Sequence, residues 1–248
     1  MDSVPTKQPV SQSPSEQARR LFAGLAAALF DLDNTLIETH IDFPRMKRAM
    51  LALAERYGLD PAPLAALDIL GVVEAACRSL ESEGRSTEAA RFRAEAFARL
   101  TEIEMAECAS PVKLEGAAEL LADLHARGVP IAVVTRNCRA VAERLLAQGR
   151  LTCDALLTRE DVARIKPHPD HLHDALAALA RLRGVPVLPP HASLMVGDHW
   201  MDVAAGQAAG MRTIGVRRNR PPAFFAEAMP DLIVEDMAEL WALVRDGA

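Results

Sequence analysis

From residue 21 onward, short apolar runs alternate with stretches whose apolar positions recur at helical spacing. Leu25–Phe30, Ile131–Val134, Ala155–Leu157, Leu194–Val196 and Thr213–Val216 are continuous apolar segments of strand length. Such runs read as strands buried on both faces. Ala117–Arg127, Arg139–Gln148, Asp170–Arg183 and Val203–Ala209 read as helices, with Gly128 and Gly149 at the places where the first two should stop. Buried strands alternating with helices predict an α/β fold, a Rossmann-like parallel sheet with right-handed crossovers.

One interval breaks the alternation. Between 41 and 110 there is no strand pattern, only helical segments near Pro44–Tyr57, Ala62–Leu70, Val72–Glu83 and Thr87–Cys108, punctuated by Pro61, Pro63, Gly71 and Gly84. The block reads as an all-helical cap inserted into a core formed by 21–40 and 111–248. Residues 1–20, with Pro5, Pro9 and Pro14 among Ser, Thr and Gln, are expected to be a disordered tail.

Composition narrows the function. The chain of 248 residues carries a formal net charge of −6 and an aromatic share of 4%. That balance excludes a broad polyanion-binding face or base-stacking platform, so no nucleic-acid partner is expected. No run reaches the length of a membrane span, so no membrane partner is expected either. Arg19-Arg20 followed by Leu21–Phe30 imitates a signal peptide, but cleavage there would remove the first predicted strand. Cys77, Cys108, Cys138 and Cys153 form no CxxC pair, which favours reduced thiols and the cytoplasm. Oligomeric state is not legible.

The chemistry gathers where strands end. Asp31 and Asp33 follow the first strand, Thr135 the second, and Asp198 the fourth, with Asp202 four residues on. Lys166 stands between Ile165 and Pro167 in the loop before the fourth strand. In open α/β sheets ligands bind beyond the strand carboxyl ends, so these groups converge on one crevice. Singly, each has a plain structural role: turn chemistry for Asp33 and Asn34, a helix N-cap for Asp202, a solvated lysine for Lys166. Together, four carboxylates so close would repel one another, and a divalent cation relieves that; an all-oxygen shell suits Mg²⁺. Cation, ammonium and hydroxyl around a carboxylate nucleophile make a phosphoryl-transfer site.

The ordered set Asp31-x-Asp33-x-Thr35, Thr135, Lys166-Pro167 and Gly197-Asp198-x-x-x-Asp202 resembles the haloacid dehalogenase-like hydrolase superfamily, in its phosphoglycolate phosphatase-like branch with a helical cap after the first motif. The resemblance implies a Mg²⁺-dependent phosphatase acting on a small phosphorylated metabolite through an aspartyl-phosphate. It makes Asp31 the nucleophile and Asp33 the general acid and base. It assigns the metal to Asp31, the Asp33 backbone carbonyl and Asp198, with Asp202 in or just beyond the shell. Thr135 and Lys166 would bind phosphate oxygens, and Arg136, next to Thr135, is a further candidate contact. Asn34 stands where many relatives carry Gly; Asn tolerates left-handed backbone, so the tight turn is kept.

Other features read as structural. His168, His171 and His173 are expected at a helix start and on the surface, and Arg85, Arg91, Arg93 and Arg99 on a solvated helix face. His199, beside Asp198, is expected near the site, as a packing residue or a substrate contact. The alternatives to a phosphatase are a phosphomutase of the same fold, a metal-free carbon–halogen hydrolase, or a non-catalytic phospholigand sensor. Phosphoglycolate, sugar phosphates and nucleoside monophosphates are all open as substrates.

Overall fold

Five of the apolar runs pair side by side because each is apolar on both faces and has nowhere to go but the interior. In the computed structural model, which describes residues 13–108 and 112–245, the elements run α1(Pro14–Phe22), β1(Ala27–Phe30), β2(Ile37–Glu38), α2(Phe43–Arg56), α3(Ile69–Ser82), α4(Ser86–Glu107), β3(Val112–Lys113), α5(Ala117–Ala126), β4(Ile131–Val134), α6(Arg139–Gly149), β5(Ala155–Leu157), α7(Asp170–Arg183), β6(Ser193–Gly197), α8(Trp200–Ala208), β7(Arg212–Val216), β8(Leu232–Val234) and α9(Met237–Arg245). The main sheet has the order β5-β4-β1-β6-β7-β8, and all its pairings are parallel. β1 therefore lies between β4 and β6, so three of the strands whose ends carry chemistry are immediate neighbours. β1, β4 and β6 are buried throughout. Ala27 and Leu29 join Ala132, Val134 and Met195 in one core layer with Leu172, Ala175, Leu176 and Leu179 of α7. This is the α/β architecture with a Rossmann-like parallel sheet expected from the alternation.

The chain divides into two compact units: Met1–Glu38 with Lys113–Arg136 and Gly149–Ala248, and Thr39–Val112 with Asn137–Gln148. The first contains the sheet. The second contains α2, α3 and α4, cored by Met50, Val73, Cys77, Leu80, Phe92, Ala96 and Leu100, and takes in most of α6 as well. Tyr57 meets Phe92 edge to face, and Arg93 forms a forked pair with Glu74. Among the described residues, no helix is long and apolar enough to cross a membrane.

Several elements depart from the sequence pattern. Part of the expected tail is helix α1: Ser13 and Glu16 form a reciprocal capping box, Ala18 and Leu21 are buried one turn apart, and Arg212 donates to the Leu21 and Ala23 carbonyls. Residues 1–12 of that tail lie outside the described residues. Of the expected helix at Ala62–Leu70, only Ile69 and Leu70 are helical, as the start of α3. The rest is a series of turns, with the Leu64 N–H on the Pro61 carbonyl and the Leu67 N–H on the Leu64 carbonyl, and Asp68 caps the helix that follows. Gly71 does not separate two helices. It sits in the first turn of α3, where its N–H caps onto Asp68. Gly149 ends α6 within the helix, and Arg150 takes the left-handed turn instead. α8 begins at Trp200, so Asp202 is at its third position and His199 is the N-cap.

His171 is a further departure. It is fully buried in α7, and its Nδ1 accepts the Lys166 backbone N–H at 3.4 Å. Burial, and then the Lys166 charge, hold its pKa down at about 3. The first turn of α7 faces the sheet, so a residue expected at the surface is drawn inside.

Two stability predictions follow from this packing. Between pH 6.5 and 3 the unfolded chain protonates His171 and the folded chain does not, so its contribution is intact above pH 6.5 and is lost as pH falls, by about 3–5 kcal/mol at the acid end. Urea titrations from pH 7 to pH 4 should give His171→Asn a shallower loss than wild type; parallel curves would contradict this. Gly116, with φ +80° and a Cβ position 2.5 Å from the backbone of Met237 and Ala238, tolerates no side chain. Gly116→Ala should cost about 2–4 kcal/mol in the same titration at pH 7.

Candidate active site

The carboxyl ends of β1, β4 and β6 place Asp31, Thr135 and Asp198 beside one another, each directly after its strand. Asp31 N–H continues the ladder to the Val196 carbonyl at 2.9 Å, and Thr135 N–H to the Leu157 carbonyl at 2.9 Å. Both residues are therefore fixed by the sheet. After Asp31 the chain turns sharply: Asn34 has φ 57°, and its N–H reaches the Ile37 carbonyl at 2.6 Å. That turn leaves Asp33 on the same side as Thr135, whose Oγ1 lies 3.5 Å from Asp33 Oδ2.

Lys166 is the centre of the arrangement. Its side chain is 1% exposed, and Nζ lies 2.7 Å from Asp31 Oδ1, 2.7 Å from Asp202 Oδ1 and 2.6 Å from the Val134 carbonyl. An ammonium has three protons, and all three are used. Asp202 reaches in from the first turn of α8. Its other oxygen, Oδ2, accepts the His199 backbone N–H at 3.0 Å, while His199 Nδ1 accepts from Met201 N–H. Gly197 permits that approach, since a Cβ there would lie 2.3 Å from the Asp202 Cβ.

The electrostatics are those of crowded carboxylates. Burial, against the pull of Lys166, and then the charges of Asp202, Asp198 and Asp33 push Asp31 well above the usual carboxylate range. Burial and Asp202 raise Asp198 to about 6, although Arg220 pulls the other way. For Lys166, burial works against the charge, but Asp202 and Asp31 outweigh it and hold the pKa above the ordinary value. Asp31, Asp198 and Asp202 each offer an oxygen, all within 4.8 Å of one another. Four buried or half-buried carboxylates against Lys166 and Arg220 leave a negative, all-oxygen site. That donor set fits a hard divalent cation.

Most of the sequence-selected residues meet here: Asp31, Asp33, Thr135, Lys166, Asp198 and Asp202. Arg136 follows Thr135, but its Nη1 is turned onto Met201 Sδ, and its carbonyl accepts from Arg159 Nη1 at 3.1 Å. His199 is near the site as the cap of α8. Three residues were not singled out for these positions. Arg159, after β5, is buried against Arg136; His171 supports the Lys166 backbone; Arg220, after β7, grips Asp198. The strand-end rule that found Thr135 also covers Arg159 and the Arg217–Arg220 stretch.

Comparisons with known proteins agree with this architecture. The chain is 36% identical to hexitol phosphatase A of Escherichia coli (strain K12) over 189 residues, 76% of this chain and 81% of that protein. It is 36% identical to the N-acetylmuramic acid 6-phosphate phosphatase of Pseudomonas putida (strain KT2440) over 201 residues, 78% and 83% of the two chains. It matches pyrophosphatase PpaX of Bacillus cereus (strain AH820) at 31% over 131 residues, spanning 52% of this chain and little more than half, 57%, of that relative. Among solved structures, a predicted phosphoglycolate phosphatase from Haemophilus somnus 129pt aligns with a TM-score of 0.53 at 22% identity, covering 89% of this chain and 98% of that one. A β-phosphoglucomutase from Clostridium difficile aligns with a TM-score of 0.57 at 19%, covering 90% and 96%. At such identities the structural likeness establishes the fold. The family model for haloacid dehalogenase-like hydrolases matches residues 25–210, which include every residue of the cluster around Lys166 except Arg220. With the fold and the ordered motifs in agreement, the chain belongs to the haloacid dehalogenase-like hydrolase family.

Proposed function

We propose that this chain is a Mg²⁺-dependent phosphomonoester hydrolase that acts on a small phosphorylated metabolite through an aspartyl-phosphate on Asp31. The observation that carries the proposal is the buried Lys166 ammonium, shared between Asp31 and Asp202 beside a third carboxylate, Asp198. The arrangement keeps Asp31 oriented and leaves a net negative pocket. A cation and an anionic phosphoryl group together complete such a site better than either does alone.

Asp31 attacks phosphorus, and the bond to the leaving oxygen breaks as Asp33 gives that oxygen a proton. Asp33, now a carboxylate, takes a proton from water, and the resulting hydroxide displaces Asp31 from phosphorus. The long contact between Thr135 and Asp33 suits a group that must move a proton in both steps; such contacts tighten once substrate is bound. Thr135 holds a phosphate oxygen, Lys166 holds another by exchanging one of its three present hydrogen bonds for it, and Arg136 joins them if it turns away from Met201. Asp31, the Asp33 carbonyl and Asp198 hold the cation; Asp202, with both oxygens engaged by Lys166 and His199, acts from just beyond the shell. Mg²⁺ held there would supply positive charge that stabilises the transferring phosphoryl group.

The helical unit acts as the cap that selects the substrate. Two relatives named for hexitol phosphate and N-acetylmuramic acid 6-phosphate hydrolysis support sugar phosphates as the first class to test. Among the described residues the four cysteines form no disulfide, which supports a reducing compartment, the cytoplasm.

The test is phosphate release from hexitol phosphates, N-acetylmuramic acid 6-phosphate, phosphoglycolate, pyrophosphate and nucleoside monophosphates, with Mg²⁺ and with EDTA. Release from at least one monoester should require Mg²⁺. It should fall roughly 10³-fold or more in Asp31→Asn and about 10²–10⁴-fold in Asp33→Asn. Isomerised sugar phosphate without free phosphate, or tight binding without turnover, would overturn the hydrolase reading.

A further inference from the structure

Three arginines stand almost in succession after β7, and each finds a different carboxylate. Arg217 pairs with Glu235 at 2.5 Å, beyond the end of β8, and Arg218 pairs with Glu38 at 3.0 Å and donates to Asn34 Oδ1 at 3.2 Å. Those two tie neighbouring segments together. Arg220 does something else. Its Nη1 donates to the Asp198 backbone carbonyl at 2.5 Å and its Nη2 to Asp198 Oδ2. Both prongs of the guanidinium thus close on a single residue.

The guanidinium is itself held. The ring of Phe224 lies over it at 4.4 Å, and Phe224 meets His199 edge to face at 5.3 Å. The Arg220 N–H bonds to the Arg217 carbonyl at 3.0 Å, Arg217 Nη1 bonds back to the Arg220 carbonyl at 3.2 Å, and Pro221 and Pro222 follow. The loop is stiff and the fork has a seat. Asp198 is nearly closed from solvent, with 10% of its side chain exposed, while Arg220 is 28% exposed.

A buried ion pair is a poor device for stability alone, because desolvation offsets most of its attraction. A planar fork that grips a carbonyl and a carboxylate oxygen of the same residue does fix one rotamer, which a lysine cannot. Only Oδ2 of Asp198 is engaged by the fork, so the second oxygen is left for a cation. We propose that Arg220, seated by Phe224, is a positioning residue for the metal site: it sets the direction in which Asp198 presents its second oxygen to Mg²⁺. The proposal rests on the Mg²⁺-dependent reading above. The opposite role, Arg220 as a rival cation that must leave Asp198 before Mg²⁺ binds, predicts the opposite sign.

Arg220→Lys separates the two, since it keeps the charge and removes the fork. Isothermal titration of the full-length protein with MgCl₂, without substrate, should show affinity weakened by about 10–100-fold. The Mg²⁺ concentration for half-maximal phosphate release should rise in step, with the melting temperature in EDTA little changed. Phe224→Leu, which loses the ring and no polar group, should weaken Mg²⁺ binding in the same direction by a smaller factor. It carries the test alone if Arg220→Lys does not fold. Unchanged or tighter Mg²⁺ binding in the folded variants overturns the positioning role and leaves the hydrolase reading intact. Wild-type protein that binds no Mg²⁺ overturns both.

Discussion

A buried ammonium with no proton to spare governs this molecule. Lys166 could not stay charged at 1% exposure without Asp31 and Asp202, and those two carboxylates could not lie within reach of Asp198 without Lys166. Each partner is costly alone: breaking a buried pair by removing one member typically loses about 3–5 kcal/mol. The segment that delivers Lys166 is built accordingly. Its backbone N–H is taken by His171, which must stay neutral to accept it, and the next residues lead straight into α7. The helix that packs on the sheet thereby also fixes the cation of the site.

The sheet order supplies the rest. With β1 between β4 and β6, one strand end carries the carboxylates Asp31 and Asp33, its neighbour a hydroxyl, and the other neighbour Asp198. Strand backbones hold these groups through ladder hydrogen bonds, so their spacing follows from the strand spacing rather than from loop conformation. Asp202 is the exception. It reaches in from a helix, and a glycine at 197 is what lets it come so close. Preorganisation of this kind keeps charged groups from having to rearrange as the reaction proceeds.

How much of this was legible depended on whether a signal was local. Buried strands announce themselves as continuous apolar runs, so β1, β4, β5, β6 and β7 could be read directly, and the acidic residues after them followed. β8 and α9 are short and lie after a Pro-rich stretch, which hides their pattern. α1 sits in a polar, Pro-bearing segment and owes its order to burial of Ala18 and Leu21 and to capping by Arg212 from far along the chain. His171 looked like one of three surface histidines, because no local feature says which of His168, His171 and His173 faces the sheet. Arg220 was hidden among arginines that look solvated. Its partner lies 22 residues away in sequence, across a strand and a helix.

The central claim is that this cluster makes Asp31 a nucleophile. Rapid acid quench during turnover of p-nitrophenyl phosphate with Mg²⁺, followed by peptide mass analysis, tests it most directly. The Asp33→Asn protein, slowed in hydrolysing the intermediate, should be the clearest case. The account predicts the added mass of one phosphoryl group on the peptide containing Asp31, absent from Asp31→Asn. Sustained phosphate release with no phosphorylated Asp31 in either protein would contradict it.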